Sequence, residues 1–579
     1  MRSRPSFPRT PPWGLVVGMA CATVLAAGSG ASAAPEHPGP SAAGQGPVAH
    51  GGSPVTSGFS GGRWGDSRTD AISKDSYGNN AARRDPGSLF TVGNAIGARD
   101  TWKRRDGAGR PVTGLGVGVA LLDSGVADVP GLDAAGKVTH GPDLSIEGNG
   151  TLVHQDTYGH GTFMAGIIAG RGASNPSSDL PFAPPSVQLG VAPDASLLSL
   201  KLATTDGSTD VSQVIAALDW VTQHPVMPDG TRVRVINLSY GTDSAQGYQI
   251  DPLAAAAENA WKHGMVVVTS AGNSGTATGR LTDPAVDPYV LAVGAADSSD
   301  RVDGWAPNHT MAASFSNVST GRHADLIAPG TSLVSLRAPG SYVDTNNPQG
   351  LVSGDDSGNL FRGSGTSQAS AVVSGAVANL LQAFPSLTPD QVKYALTASA
   401  DPVKDGEVDA VGAGMIDLEQ AFDLAGRIVK ANARGARLKV AAAQSFDPAT
   451  GQGLLDAARG AEVPLDADGN ESSGEFDIQG IPWNAPVWWQ ASTSLTSWSD
   501  GQWMGTTWTG DDWADGGGLS SARWSSARWS SARWSAANWD SARWSSARWS
   551  SARWSSARWS SARWSSARWS SARWSSDSW

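Results

Sequence analysis

Short apolar runs alternate with amphipathic helix patterns over residues 96–430, and this alternation restricts the possible folds more than any other feature of the chain. Four runs rich in aliphatic residues end at Asp123, Leu202, Ser239 and Asn273. Strands separated by single helices predict a parallel sheet covered by helices on both faces. The predicted class is therefore α/β, with three layers and a mostly parallel sheet.

Capping residues mark the limits of the helices between these strands. The pattern over residues 209–221 carries its apolar residues on one stripe. A second helix is predicted to open at Asp251-Pro252 and to close before Gly264, and a later one to open at Thr388-Pro389, with Gln391 completing a capping box. Because active residues of such sheets gather at the carboxyl ends of the strands, those ends are where chemistry is expected.

The first 33 residues have the pattern of an export signal. Three arginines precede an apolar stretch over 14–27, and Ala31-Ser32-Ala33 forms a small-residue cleavage site. The mature chain is expected to begin near Ala34 and to lack thiols, because Cys21, the single cysteine, lies inside the signal. Lipidation of Cys21 is the weaker alternative, since the residues before it fit that signal poorly. We expect a secreted, extracellular protein with no membrane attachment after signal cleavage.

Composition divides the rest of the chain into four segments. Residues 34–95 are rich in Gly, Ser and Pro, which predicts a linker or a short pro-segment. Residues 96–430 form the predicted α/β domain, and 431–482 a small appendage. From 483 to 579 tryptophan recurs on a five-residue grid, mostly as SARWS.

The tryptophan tail matches neither the helical nor the strand period. From residue 519 onward it carries ten arginines against two aspartates, whereas the whole chain has a net charge of −11. Three alternatives follow from this charge distribution. The tail could bind cell-wall polymer, glycan or another anionic surface, it could fold back on the acidic α/β domain, or it could be an extension without a partner.

Four polar residues stand in positions that suit nucleophilic catalysis. Asp123 ends a strand in "LLDSGV", and His160 lies between two glycines in "GHGTFMAG", directly before a tight apolar helix. Ser367 opens a helix in "GTSQAS", where an adjacent N–H can stabilise negative charge, and Asn273 in "SAGNSG" offers a side-chain donor. Taken singly, each has a structural alternative: a turn aspartate, a buried or capping histidine, a capping serine and a left-handed turn asparagine.

Together these four motifs, in this chain order, resemble the subtilisin family of serine peptidases. The resemblance extends from Ile96 to about Lys430 and includes "GVAPDASLLSLKL" at 190–202, "INLSYG" at 236–241 and "ADLIAPGTSLVS" at 324–335. It implies the three-layer subtilisin-like fold. It also implies hydrolysis of peptide bonds through an acyl-enzyme.

The resemblance also implies a role for each site residue. Ser367 would be the nucleophile, His160 the general base and then acid, and Asp123 the carboxylate that orients the imidazole. Asn273 would be the side-chain half of the oxyanion hole. The residues implied to contact substrate are the edge at Gly207 and two pocket walls, namely Ser239, Tyr240 and Gly241, and Ser270, Ala271 and Gly272.

The chain departs from the family pattern in two places. Ala371 and Val372 stand where the family usually has proline and often has histidine, which bears on helix packing more than on chemistry. Residues 34–95 do not resemble the folded inhibitory propeptide that is common among secreted members. Family members often bind structural calcium, but the insertion at 170–188 shows no clear ligand pattern, so no calcium site is assigned and no cofactor is expected for the chemistry.

We therefore predict a secreted serine endopeptidase that acts as a monomer on proteins or peptides, with no nucleic-acid partner. The competing hypothesis is a catalytically silent subtilisin-like scaffold whose tail binds cell-wall polymer or another surface. All four positions implied in catalysis are filled, which favours the enzyme.

Overall fold

A computed structural model gives the structure of the chain from Tyr77 onward. It describes residues 77–148, 150–172, 176–298, 305, 309–433, 442–461, 474–509 and four strand segments, 465–466, 522–523, 527–528 and 533–534. The predicted signal and most of the repeat tail lie outside the described residues.

An eight-stranded sheet forms the centre of the molecule, in the order β2-β3-β1-β5-β6-β7-β8, with β9 also paired to β7. All pairings are parallel except that of β8 with β7. Its strands are β1 (Val117–Asp123), β2 (Val138–His140), β3 (Ser196–Lys201), β5 (Arg232–Leu238), β6 (Val266–Ser270), β7 (Leu291–Ser298), β8 (Thr310–Ala312) and β9 (Leu326–Pro329). The short strand β4 (Ser208–Thr209) lies outside this sheet.

Thirteen α-helices occur in the described part of the chain. Six of those between β1 and the end of the catalytic domain are nine or more residues long. They are α1 (Asn79–Arg84), α2 (Leu89–Ala95), α3 (Ala98–Thr101), α4 (His160–Ala169), α5 (Val211–Gln223), α6 (Pro252–Lys262), α7 (Tyr342–Asn346), α8 (Thr366–Ala383), α9 (Pro389–Thr397), α10 (Val408–Val411), α11 (Leu418–Ala433), α12 (Leu455–Ala458) and α13 (Ala485–Thr493). Short 3-10 helices lie at Gly150–Leu152, Ser177–Phe182 and Pro348–Gly350.

The layers match the fold predicted from the sequence. Every residue of β1 is buried, so both faces of the sheet centre are covered. Helices α4 and α8 pack against each other and on the sheet, and α5 and α6 form a second packed pair. Helix α8 is buried along nearly its whole length, which explains its uniformly small and apolar sequence.

Caps place the helices close to where the sequence predicts them. Helix α6 begins after Asp251, whose carboxylate accepts from two backbone N–H groups, and α9 has the predicted capping box of Thr388 and Gln391. Helix α5 has a second capping box, formed by Asp210 and Gln213, and runs two residues later than predicted. Strand β6 stops at Ser270, so Asn273 lies in the loop beyond it.

The folded unit starts earlier than the predicted boundary at residue 96. Helices α1 and α2 are part of the main core, in which Ala82, Leu89 and Val92 are buried. Asp85, between these helices, forms an ion pair with Arg362. The segment 77–95 is therefore packed structure, although its composition resembles that of the linker before it.

Residues 442–461 and 474–509 pack on the catalytic domain, so the predicted boundaries near 430 and 482 do not separate independent bodies. The Arg459 guanidinium is buried against Asp210, with Nε 2.7 Å from Oδ1. The N–H of Ala449 donates to the buried Glu258 of α6.

The first part of the tryptophan grid, residues 483–508, forms a compact unit that we call the Trp module. It consists of α13 and the antiparallel strands β13 (Trp498–Ser499), β14 (Gln502–Trp503) and β15 (Thr506–Thr507). Trp488 and Trp503 donate their indole N–H groups to Asp219 of α5, at 3.0 and 2.9 Å. Over these residues the structure shows the fold-back alternative.

Short strands of the repeat tail also pair with earlier parts of the chain. Strand β16 (Ala522–Arg523) pairs with β12 (Leu465–Asp466), and β17 (Ala527–Arg528) pairs with β4. Strands β10 (Leu333–Leu336) and β11 (Leu360–Ser364) form a small antiparallel sheet with β18 (Arg533–Trp534).

Candidate active site

The imidazole of His160 is held by the carboxylate of Asp123. Asp123 is the last residue of β1 and His160 the first of α4, and both side chains are buried. Nδ1 of His160 lies 2.8 Å from Oδ1 and 2.9 Å from Oδ2 of Asp123. Because this contact uses Nδ1, the ring can accept a proton at Nε2. The structure thus brings together two of the predicted site residues.

Asp156 fixes the loop and helix that carry this pair, and the sequence analysis did not find it. Its carboxylate accepts from the N–H groups of Gly159 and Thr162, at 2.6 and 2.7 Å, and from the hydroxyl of Ser124 at 2.8 Å. Burial raises the pKa of Asp156. A carboxylate placed at the start of α4 also interacts favourably with the helix dipole. The usable signal was an aspartate a few residues before a helix start.

The glycines on either side of His160 have the role expected from the sequence. Gly159 has a φ of 105°, which favours glycine, and a Cβ at that position would meet the side chain of Ser341. A Cβ on Gly161 would overlap the carbonyl oxygen of Gly125, in the loop after β1. Helix α4 can therefore approach that loop closely enough for His160 to reach Asp123 only without these side chains.

Ser367 is the second residue of α8, at the end of the helix where backbone N–H groups lack intrahelical partners. Its hydroxyl lies 3.4 Å from the carbonyl oxygen of Ser239, to which it can donate. In return, the Ser239 hydroxyl donates to the carbonyl of Ser367 at 3.3 Å. Helix α8 packs against α4, whose first residue is His160.

Asn273 lies directly beside the start of α8. Its Oδ1 accepts from the N–H and the hydroxyl of Thr366, at 2.7 and 2.9 Å. Because Oδ1 is used in this way, the amide presents its N–H₂ group on the opposite side. Asn273 is absent from the described residues with positive φ, and its neighbour Gly272 has a φ of 105°, so the alternative of a left-handed turn asparagine is wrong.

The residues implied to contact substrate lie at the carboxyl ends of the sheet strands. The segment of Ser239, Tyr240 and Gly241 follows β5, and Ser270, Ala271 and Gly272 end or follow β6. Both segments contact Thr282, whose hydroxyl donates to the carbonyl of Ser270 at 3.1 Å and whose side chain would meet a Cβ on Gly241. Gly207 precedes β4, with a φ of 81° and its α-carbon against the ring of Tyr158.

Comparison with known proteins decides the family. The profile described as "Subtilase family" matches residues 114–414, just over half of the chain. The chain belongs to the subtilase family. This subtilase is 33% identical to "Serine protease AprX" of Bacillus subtilis (strain 168) over 319 residues, which cover 54% of this chain and 67% of that protein. It is 31% identical to "Subtilisin DY" of Bacillus licheniformis over 315 residues, 53% and 91% of the two chains.

A solved structure also resembles the subtilase. It is fervidolysin from Fervidobacterium pennivorans, described as a keratinolytic enzyme related to subtilisin, with 25% identity and a TM-score of 0.43. The likeness covers 59% of this chain and 47% of that one. From its family, the protein is a subtilisin-like serine peptidase, and its enzyme class is serine-type endopeptidase.

The two departures from the family pattern do not interrupt the helix of this subtilase. Ala371 and Val372 are fully buried, and α8 is continuous from Thr366 to Ala383. Within the described residues, no cluster of three or more His, Cys, Asp or Glu side chains could hold a metal ion. The same residues contain no helix long and apolar enough to span a membrane.

Proposed function

We propose that the protein is a secreted endopeptidase in which Asp123, His160 and Ser367 form the catalytic triad. The observation that carries this proposal is the buried contact of His160 Nδ1 with both carboxylate oxygens of Asp123. It fixes the ring with Nε2 as the basic nitrogen, in a helix that packs on α8, which carries Ser367 as its second residue.

The reaction begins when Ser367 Oγ attacks the peptide carbonyl while His160 Nε2 takes the hydroxyl proton. His160 then gives that proton to the leaving amine, and water, activated by the same nitrogen, hydrolyses the acyl-enzyme. Asp123 stabilises the imidazolium and holds its orientation. This sequence of steps is the known triad mechanism of the subtilisins, carried over by position.

Asn273 and the start of α8 would stabilise the tetrahedral intermediate. The N–H₂ group of Asn273 and the backbone N–H of Ser367 are the two proposed donors to the oxyanion. Support comes from the anchoring of Asn273 Oδ1 on Thr366, the residue before the nucleophile. A helix of 18 residues adds a partial positive charge at this end.

The remaining predicted residues would bind the substrate. The edge at Gly207 would pair with an extended substrate backbone, and the segments 239–241 and 270–272 would wall the pocket for the residue before the scissile bond. Because this pairing uses hydrogen bonds to the substrate main chain, we expect only a weak preference for particular substrate side chains.

Secretion and the segment boundaries belong to the same proposal. Cleavage after Ala33 would release the chain outside the cell, where it would act as a monomer on proteins or peptides. The basic repeats beyond residue 518 would contact cell-wall polymer or another anionic surface. A chain ending at Gly518 should then lose retention on cell walls, and equal retention of both chains would remove this part of the proposal.

Hydrolysis of a denatured protein substrate tests the peptidase proposal. Wild type should cleave it, Ser367→Ala should not, and Ser370→Ala serves as the matched control. Ser370 lies in the same helix and its hydroxyl donates within that helix to Thr366. If Ser367→Ala retained wild-type activity, or if processed wild type were inactive, the silent scaffold would be the better description.

A further inference from the structure

Two strands of the repeat tail pair with the catalytic domain, one with β4, which follows Gly207, and one with β11, which precedes Ser367. Strand β17 is antiparallel to β4, with Ala527 opposite Thr209 and Arg528 opposite Ser208. Strand β18 is antiparallel to the end of β11, with Arg533 opposite Ser364 and Trp534 opposite Gly363.

These pairings occupy the edges that a peptide substrate needs. Strand β4 directly follows Gly207, the edge proposed to bind substrate backbone, and β11 ends three residues before Ser367. Only five Cα–Cα steps separate Arg528 from Arg533, a span of at most about 18 Å. The two paired segments of the tail therefore lie within that distance of each other.

Burial in the full chain agrees with an occupied cleft. His160 and Ser367 have relative exposures of 0% and 4%. The edge residues Ser208 and Ser364 have 8% and 1%. Low exposure at all four residues is what an occupied cleft requires.

We propose that the SARWS repeat is an intramolecular peptide ligand of the substrate cleft. It binds by strand addition along β4 and β11, and it must leave before another peptide can bind. This inference rests on the proposed location of the cleft. Strand addition uses main-chain hydrogen bonds, so it does not require particular side chains in the repeat.

The tether makes this weak interaction effective. A short flexible connection gives an effective concentration in the millimolar range, so a peptide of ordinary affinity occupies its site for much of the time. Occupancy lowers the fraction of molecules that can bind external substrate. The apparent KM rises by the inverse of that fraction, whereas kcat is unaffected once substrate is bound.

Proline substitution in the full-length chain removes the pairing. Successive residues of a strand point in opposite directions, so two consecutive prolines remove the bonding N–H whichever residue provides it. A shift by one repeat would bring Arg533 to β4 or Arg528 to β11, so each neighbouring register also contains one of the substituted residues. The test variant is A527P/R528P/R533P/W534P, and the matched control in later repeats is A547P/R548P/R553P/W554P.

Hydrogen exchange in a Ser367→Ala background tests the contact without requiring activity. We expect faster exchange in the segments 206–210 and 361–365 of the test variant and no change in the control. In the active chain, the test variant should have a KM about 2- to 10-fold lower with unchanged kcat. Equal exchange in test and control chains would overturn the inference, whereas loss of activity in every chain with the exchange difference intact would count only against the peptidase proposal.

Discussion

The Asp156 carboxylate shows how a residue outside the proposed chemistry can determine the geometry of the site. It bonds two backbone N–H groups on either side of His160 and the hydroxyl next to Asp123. Asp156→Ala would leave these buried donors without their acceptor, at about 1–3 kcal/mol for each. We expect a lower free energy of unfolding and a larger fall in kcat than rise in KM.

Denaturant titration and steady-state kinetics check this prediction. Asp156→Asn is the matched variant, since it keeps one acceptor oxygen and should retain part of the activity. If Asp156→Ala had wild-type kcat and stability, the carboxylate would have no positioning role.

Lys137 provides a test of electrostatics away from the site. Its ammonium is buried and donates to the carbonyls of Pro193 and Ala195, at 2.6 and 3.0 Å. Burial lowers its pKa to about 7. Between this value and the usual pKa near 10.5 the unfolded chain binds more protons, so this lysine makes the folded state more stable as pH rises.

The predicted measurement is the difference in unfolding free energy between wild type and Lys137→Met at pH 7.5 and 9.5. The wild type should gain about 2 kcal/mol relative to the variant over this range. Lys404→Met, at an exposed position, should show no such change. A difference in unfolding free energy between wild type and Lys137→Met that did not change with pH would contradict the lowered pKa of Lys137.

The sequence is most informative for a residue whose neighbours in the chain indicate the same role as the residue itself. His160 stands out in the sequence because glycines and a tight helix surround it, and the structure shows the close approach that Gly159 and Gly161 allow. Asp156 was missed because its partners are backbone N–H groups, which leave no mark in the sequence. The contact of His160 with Asp123 likewise depends on how β1 and α4 pack.

At the scale of elements, the approach of α4 to the loop after β1 is a close steric fit. A Cβ on Gly161 would overlap the carbonyl of Gly125, so Gly161→Ala must move the helix or the loop. Displacement by about 1 Å costs roughly 100-fold in rate. We expect kcat/KM to fall by about this factor.

Gly107→Ala is the control for this substitution, because no atom lies within 4 Å of a Cβ at that position. The kcat/KM for peptide hydrolysis should be about 100-fold lower for Gly161→Ala than for Gly107→Ala. Equal activities would show that the helix and loop adjust without disturbing His160.

The Trp module depends on one buried carboxylate of α5. Asp219 accepts from the indole N–H groups of Trp488 and Trp503 and from the hydroxyl of Ser492, and burial raises its pKa. Asp219→Ala would leave three buried donors unsatisfied, each at about 1–3 kcal/mol. Hydrogen exchange should accelerate in residues 485–508 more than in the central sheet.

The exposed Asp229 provides the comparison, and Asp229→Ala should change neither region appreciably. Uniform destabilisation by Asp219→Ala would instead mean that the Trp module and the catalytic domain unfold as one unit. Protection equal to that of wild type would show that the indoles do not depend on Asp219.

The longer elements could be predicted, and the short ones could not. Proline in the first turn and capping side chains predict the starts of helices α6 and α9. Helices α1 and α2 have six and seven residues, too few to show a periodic stripe, so packing against the core decides their existence. The five-residue tryptophan period also concealed the Trp module, which is a helix followed by three two-residue strands.

At the scale of the whole molecule, one chain supplies a catalytic domain, segments that pack around it and a repeat that pairs with the proposed cleft. The α/β class followed from the alternation of strands and helices, since only a covered parallel sheet satisfies it. The limits of the folded unit did not follow, because residues 77–95, 442–461 and 474–509 gain their burial from the domain itself. Composition alone carries no signal of such long-range packing.

The central claim is that Ser367, activated by His160, is the nucleophile. The most direct measurement is peptide mapping by mass spectrometry after treatment of the full chain with a serine-directed sulfonyl fluoride. The label should appear on Ser367 of wild type, and His160→Ala should react about 10²- to 10⁴-fold more slowly. A label on a different residue, or equal rates for both chains, would contradict the account.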